Sequence, residues 1–487
     1  MKRYVALADE IADTIEKGTL RPGDRLPSVR EASRAHRVSP STVFQAYYLL
    51  EARGLIVTRA RSGYFVAQTI PRRPPTVDIA SKPLDVSVEV DVSRHIDAIL
   101  AASTQRDMVP LGSAFPNASL FPWSALGRTM ASSVRRMEPR KTVEGLLGGN
   151  LELRRQIALR YGARDMRIDP SGIVISNGAM EALHLCLQAV ARPGDAVVIE
   201  SPSFYGALQA LEMHGMRAIE APTDPRTGID LDALEHILKR QKPAACWLMT
   251  TFQNPLGSTM PESKKRELVA LLTHYRTPLI EDDVYTELYF GDRPTRPAKA
   301  FDTDGWVLHC SSFSKCLAPG YRIGWATAGR FANDVARLKL RSSISASVPA
   351  EVTLAAYLGK GGYDRHLRHL RTFFSEQRDA MLLAIGRHFP QNTRATRPDG
   401  GYFLWVECDT RVDALALHAQ ALKHRISIAP GPIFSSRSEF RHCFRLNFGH
   451  RWTGDVEQAM QTLGRLLASQ RTPRAVKGAP RRKLARI

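Results

Sequence analysis

No run of about 18 consecutive apolar residues occurs in this 487-residue chain, which excludes a hydrophobic transmembrane helix. A secretory leader is missing too, because Asp9, Glu10, Asp13 and Glu16 interrupt the first apolar residues. Cysteine is sparse: six residues (Cys186, Cys246, Cys310, Cys316, Cys408, Cys443) lie scattered with no Cys-x-x-Cys pair. In a chain this long, that argues for reduced thiols in a cytoplasm, with neither a disulfide frame nor a zinc site, and no metal is expected. Acidic residues are also short, 48 against 68 Lys and Arg, for a net charge of +20.

The excess charge is concentrated at the ends. Residues 1–73 hold 13 Lys/Arg against 7 Asp/Glu, and residues 471–487 hold 7 with no acid, so thirteen of the twenty excess charges lie there. A polyanion is the expected partner, and double-stranded DNA is the commonest in a cytoplasm. The tail suits either a disordered solubilising extension or a DNA-contacting arm.

The first seventy residues read as three short helices and a hairpin. Leu7, Ile11 and Ile15 form one apolar stripe. Pro27-Ser28 opens a second helix with Val29, Ala32 and Ala35 inward. Ser39 is an N-cap and Pro40 suits the first position of a third helix, with Val43, Ala46, Tyr47 and Leu50 inward and Gly54 ending it. Ser41, Gln45 and Tyr48 fall opposite that stripe. Two β-like runs, Leu55 to Arg59 and Gly63 to Val66, complete a winged helix-turn-helix. Prolines 71, 74, 75 and 83 mark a semi-stiff linker.

From about residue 89 short apolar strands (Ile173–Ile175, Ala196–Ile199, Cys246–Thr250, Pro278–Ile280, Val307–Cys310) alternate with helix-length stretches. This predicts an α/β fold: a mostly parallel sheet with helices on both faces. Phe403–Glu407, Ile426–Ala429 and Cys443–Phe448 suggest a smaller α+β subdomain. The expected boundaries are 1–70 for the winged helix, 71–88 for the linker, 89–470 for the large domain and 471–487 for a basic disordered tail.

Ligands in such sheets bind beyond the carboxyl ends of the strands. Gly178, with the N–H groups of Ala179 and Met180 opening a helix, suits a phosphate. Phe204 or its neighbours offer an aromatic face, and Asn254 can donate to a phenolate. Asp282 can pair with a protonated ring nitrogen, with Tyr285 three residues on. Ser311-Ser312-Phe313-Ser314-Lys315 brings an amine able to link to the aldehyde of pyridoxal 5'-phosphate, with hydroxyls and Arg322 nearby for its phosphate. A glycine before a helix is common, as is a lysine after a serine; the order of all these groups at successive strand ends is what carries the signal.

These residues resemble the fold-type I pyridoxal-phosphate enzymes of the class I/II aminotransferase family, over about residues 95–468. The resemblance implies that Lys315 binds the cofactor covalently and Asp282 faces its ring nitrogen. Asn254 and Tyr285 would sit at the ring hydroxyl and Phe204 on the ring. Gly178, Ala179, Met180, Ser312, Ser314 and Arg322 would surround the phosphate, and Arg445 would take a substrate's α-carboxylate. Relatives usually carry a tyrosine before the Gly-x-x-x-Leu-Arg stretch that reaches a partner's phosphate. Val143 to Arg154 here contains none.

The first seventy residues resemble the GntR winged-helix family, on Gly18-x-Leu20-x-Pro22-Gly23-Asp24-x-Leu26-Pro27-Ser28-x-Arg30, Val38-Ser39-x-Ser41-Thr42-Val43 and Gly63-Tyr64-Phe65-Val66. That implies DNA contacts from Arg30, Ser39, Ser41 and Thr42, with Ser62 and Gly63 at the wing tip. Pro40 and Phe44 stand where relatives often place arginines. The two modules in this order resemble the MocR subfamily of bacterial regulators. The implied protein is a cytoplasmic homodimer whose aminotransferase-like domain senses pyridoxal phosphate or an amino compound and controls transcription. The alternative is a working aminotransferase, acting on an α-amino acid, with an accessory DNA-binding module.

Overall fold

The computed structural model describes residues 3–59, 62–67, 73–102, 107–144 and 148–471. Ala60 and Arg61 of the wing turn, residues 68–72 across the expected junction of winged helix and linker, Gly145 to Leu147 of the Val143–Arg154 stretch and tail residues 472–487 lie outside them. Among the described residues no helix is long and apolar enough to cross a membrane.

Helices α1 (Arg3–Glu16), α2 (Val29–Ala35) and α3 (Pro40–Ala52) precede a hairpin of β1 (Ile56–Arg59) and β2 (Gly63–Val66), paired from Ile56↔Val66 to Arg59↔Gly63. The expected stripes close on one another: Leu7, Ile11, Ile15, Ala32, Val43, Ala46, Tyr47, Leu50, Ile56 and Val66 form a core of their own. Ser28 caps α2 in a reciprocal box, its hydroxyl accepting from Glu31 N (3.3 Å) while Glu31 Oε2 accepts from Ser28 N (2.8 Å). Ala35, expected inward, is exposed, because the helix ends there and only Ala32 is fully covered. Tyr47 sits in this core with its hydroxyl donating to Pro27 O at 2.8 Å.

The large sheet runs in the order β3-β6-β5-β8-β9-β10-β11-β4. The strands are β3 (Val88–Glu89), β4 (Ile173–Ser176), β5 (Ala196–Ser201), β6 (Arg217–Asp224), β7 (Gly228–Ile229), β8 (Ala245–Leu248), β9 (Leu279–Asp282), β10 (Val307–Ser312) and β11 (Gly324–Thr327). The central five, β6-β5-β8-β9-β10, are parallel, and β11 runs against both β10 and β4. Two of the longer strands escape the sequence reading, as do the two-residue β3 and β7. Arg217–Asp224 carries Glu220 and Pro222 and has no continuous apolar run, and Gly324–Thr327 follows the ligand-loop residues directly. A second sheet, β12 (Arg394–Ala395), β13 (Phe403–Glu407), β15 (Cys443–Asn447) and β14 (Ala429–Pro430), is antiparallel throughout and forms the expected smaller subdomain.

The proline-rich segment differs from a free spacer. Pro75 O accepts from Ala395 N (2.9 Å), Ser81 Oγ donates to Ser201 O (2.5 Å) and accepts from Thr223 N (2.9 Å), and Ser87 Oγ accepts from Arg217 Nε (2.8 Å). Backbone groups that helix and sheet leave unpaired are thus satisfied along the edge of the large module.

One close approach fixes the end of β11. A Cβ on Gly324 would stand 2.6 Å from Ala179 N and collide with the Gly178 backbone. Gly324→Ala is therefore expected to destabilise the large module by about 1–3 kcal/mol. Gly320→Ala, whose added carbon meets Trp123 at 3.9 Å, should leave thermal unfolding unchanged. Equal unfolding midpoints for the two variants would contradict the assignment.

Candidate functional site

Lys315 follows β10 by three residues and is half-buried, with its amine turned inward. Its Nζ donates to Ala114 O at 3.0 Å and lies 3.8 Å from the centre of the Phe115 ring. Burial lowers its pKa to about 7; the Arg445 and Arg322 charges push the same way and Asp282 opposes them. Asp282 ends β9, and burial, then the adjacent Asp283, raise its pKa to about 7, with Lys315 and His309 opposing. Its Oδ1 is buried without a hydrogen-bond partner.

Beyond β4, Gly178 caps the Ala179–Val190 helix with no side chain, at a φ of 85° that favours glycine. Arg322, itself left-handed, reaches this turn: Nη1 donates to Ser314 Oγ and Nη2 to Asn177 O, each at 3.2 Å. A Cβ on Gly178 would come within 2.9 Å of the Arg322 Cζ. Ser312 Oγ accepts from Ser314 N (3.4 Å), Ala179 is buried and Met180 half-buried. The groups singled out for a phosphate therefore share one turn between β4, β10 and β11.

Arg445, on β15, is wholly buried. Nη1 donates to Asn254 Oδ1 (2.9 Å), Nη2 to Gly112 O (2.8 Å) and Ser113 O (3.2 Å), and the guanidinium lies 4.0 Å from the centre of Phe403. The Arg445 charge opposes the rise that burial imposes on the Tyr205 phenol. With Oδ1 of Asn254 committed to Arg445, the amide nitrogen is the group left to donate. Tyr285 is buried, its ring 5.4 Å from that of Tyr402 centre to centre, with its pKa raised by burial. Phe204 is half-buried at the cap of the Tyr205–Met213 helix.

Several participants went unread in the sequence. The Gly112–Phe115 loop lies over Lys315 and Arg445, held by Tyr402 OH to Ala114 O (3.2 Å) and by Asn447 Nδ2 to Ser113 O (2.9 Å) and Phe115 O (2.8 Å). No strand leads into it, so the strand-end pattern gave it no mark; the only signal was Gly112 followed by Pro116. Tyr205 was the neighbour of the ring chosen.

In the winged helix, Arg30, Ser39, Ser41 and Ser62 are exposed and Thr42 and Gly63 half-exposed. The Ser39 hydroxyl is already engaged, accepting from Thr42 N (3.2 Å) and paired with Ser41 Oγ (2.9 Å) and Thr42 Oγ1 (2.8 Å), so it caps α3. Gln45 and Tyr48 are exposed as the stripe predicts. Together with Phe44 they line a cleft of about 2110 Å³ shared with Arg160, Glu287 and Arg371 of the large module. None of the strand-end set around Lys315 lines that cleft.

Two family models match the chain: aminotransferase class I and II over residues 142–463, and bacterial regulatory proteins, gntR family, over residues 3–66. The HTH-type transcriptional regulator YdcR of Escherichia coli K12 is 46% identical over 96% of this chain and 99% of its own length. Regulator YjiR of the same strain is 37% identical over 95% and 98%. Among solved structures, the kynurenine aminotransferase of Pyrococcus horikoshii superposes with a TM-score of 0.72 at 28% identity, over 79% of this chain and 96% of that one. The multiple substrate aminotransferase of Thermococcus profundus gives 0.71 at 26%, over 77% and 94%. The class I and II aminotransferases depend on pyridoxal phosphate. With two thirds of its length matching that family and a gntR module ahead of it, this chain belongs to the class I and II aminotransferase family in its MocR-like form, in which that fold is joined to a helix-turn-helix.

Proposed function

We propose that the protein is a DNA-binding transcriptional regulator whose aminotransferase-like module holds pyridoxal phosphate and responds to an amino compound. The observation that carries this reading is the end-to-end match to regulators, winged helix included; the aromatic-amino-acid aminotransferase 1 of Thermococcus litoralis covers only 77% of the chain. Such a protein works in the cytoplasm, as a homodimer on paired DNA half-sites.

The site's own features support the cofactor. Asp282 has a buried oxygen with no partner, the Lys315 amine has its pKa lowered by burial to about 7, and Gly178, Ser314 and Arg322 form a turn with no room for a Cβ. Bound pyridoxal phosphate supplies an aldehyde that condenses with amines and an electron-withdrawing ring. Lys315, with a pKa of about 7, is a nucleophile near neutral pH. Asp282 as a carboxylate would hold the ring nitrogen's proton, and Asn254 and Tyr285 would donate to the ring oxygen. Ser312, Ser314, Arg322 and the N–H groups of Ala179 and Met180 would hold the phosphate, with Gly178 letting the backbone approach it and Phe204 against the ring. Arg445 would take a ligand carboxylate, which must first displace the carbonyls of Gly112 and Ser113. That displacement moves a loop anchored on the smaller subdomain through Tyr402 and Asn447, and so gives a ligand a mechanical effect.

On the DNA side, Arg30, Ser41, Thr42, Ser62 and Gly63 would contact phosphates or base edges, with Ser39 shaping the helix start. A second reading, a working aminotransferase, draws on the complete set Lys315, Asp282 and Arg445.

Lys315→Ala is expected to abolish the visible absorbance that pyridoxal phosphate gives the protein; an unchanged band removes the cofactor assignment. Arg30→Ala should weaken binding evenly across DNA sequences and reduce the salt slope by about 1, and an unaltered slope rules out a phosphate contact there. Amino acids and amines added to the cofactor-loaded protein should yield, for one class, a lasting spectral change with altered DNA affinity. Repeated turnover with a keto acid, at unchanged DNA affinity, selects the second reading.

A further inference from the structure

Behind Asp282 lies a buried cluster that the proposed chemistry does not use. Three acids run in succession, Glu281-Asp282-Asp283, all buried. Alternation along the strand turns Glu281 and Asp283 away from the face Asp282 occupies. The parallel register of β9 with β10 sets His309 opposite Glu281. His309 Nδ1 lies 2.9 Å from Glu281 Oε2 and Nε2 lies 3.8 Å from Asp283 Oδ2, with all three side chains at 0% exposure.

The two acids are not equally provided for. Glu281 accepts from Thr250 Oγ1 (2.6 Å), Ala298 N (2.6 Å) and Lys299 N (3.0 Å) besides His309, and its pKa falls to about 2: burial, which raises it, is outweighed by these donors and by nearby charge. Neither oxygen of Asp283 has a hydrogen-bond partner. The other cations facing this cluster are Lys265, from the Glu262–His274 helix, and Arg164, after the Leu151–Gly162 helix. Lys265 Nζ is spent on Thr251 Oγ1 (2.7 Å) and Arg296 O (2.8 Å), and Arg164 Nη2 on Glu287 Oε2 (2.6 Å). Tyr161 contributes a neutral ring edge, 5.5 Å from the imidazole centre. Of these groups only His309 lies within 4 Å of both acids, its two ring nitrogens facing one each.

We propose that His309, protonated between Glu281 and Asp283, is a positioning residue for the cofactor ring: it offsets the acid pair behind β9, so that Asp282 stays ionised toward a protonated ring nitrogen. The physical link is the low dielectric of the strand interior, where a neighbouring like charge strongly disfavours ionisation. Asp283 is the largest charge raising the pKa of Asp282, and His309 is among those lowering it. The inference rests on the pyridoxal-phosphate reading given above.

The sign follows from the carboxylate. Asp282 is ionised above its pKa, so tight cofactor binding is lost as pH falls through it. Removing the positive charge raises that pKa and moves the acid limb to higher pH. His309→Gln keeps a donor for Glu281 and removes the charge. We expect its pyridoxal phosphate affinity, measured across pH from the visible band, to lose its acid limb about one unit earlier, a roughly tenfold weakening at a fixed pH on that limb. Asp283→Asn in the same chain should restore the limb, because the excess charge is gone; a packing role predicts no such rescue. An unmoved limb in His309→Gln, or a double variant that stays displaced, overturns the proposal. If His309→Gln fails to fold, Asp283→Asn alone must shift the limb to lower pH, and no shift is equally fatal. A wild-type protein that takes up no pyridoxal phosphate overturns the cofactor reading itself, and this inference with it.

Discussion

A guanidinium with no exposure has to be satisfied by its surroundings, and Arg445 organises much of the site by that demand. Its partners come from four parts of the chain: Asn254 beyond β8, Gly112 and Ser113 from the N-terminal loop, Tyr205 beyond β5 and Phe403 on β13. The large sheet, the smaller subdomain and the loop are thereby tied at one point, a short distance from Lys315. That is also where a ligand carboxylate would compete, so the contacts closing the site are those a ligand would exchange.

Legibility in the sequence followed periodicity. Leu7, Ile11, Ile15, Val43, Tyr47 and Leu50 announced the winged helix because each short helix buries a single stripe. The strand-end groups were legible because glycine, asparagine, aspartate and lysine interrupt apolar strands, and Asp282, Ser312 and Lys315 fall at or just past such ends. What escaped had no local signature. Ala114 and Phe115 reach Lys315 across about two hundred positions of sequence, and His309 meets Glu281 only through strand register. Ser39 was legible twice over, as a cap and as a DNA contact, and the cap occupies its hydroxyl.

The two modules depend on different kinds of stabilisation. The winged helix has one small core, whereas the large module adds a buried polar layer in which Glu281, Lys265 and Lys299 exchange hydrogen bonds with backbone and hydroxyls. Such a layer is costly when half-satisfied and rigid when complete. Its unmatched atoms include those on Asp282 and, behind it, on Asp283 and His309.

The fastening of residues 74–88 onto the large module has a consequence for DNA. Only the chain between Ala67 and Pro74 is left to span the gap, and covalent geometry limits that reach to about 25 Å. The reading head is therefore on a short leash: whatever DNA the winged helix contacts has to lie within that reach of the large module.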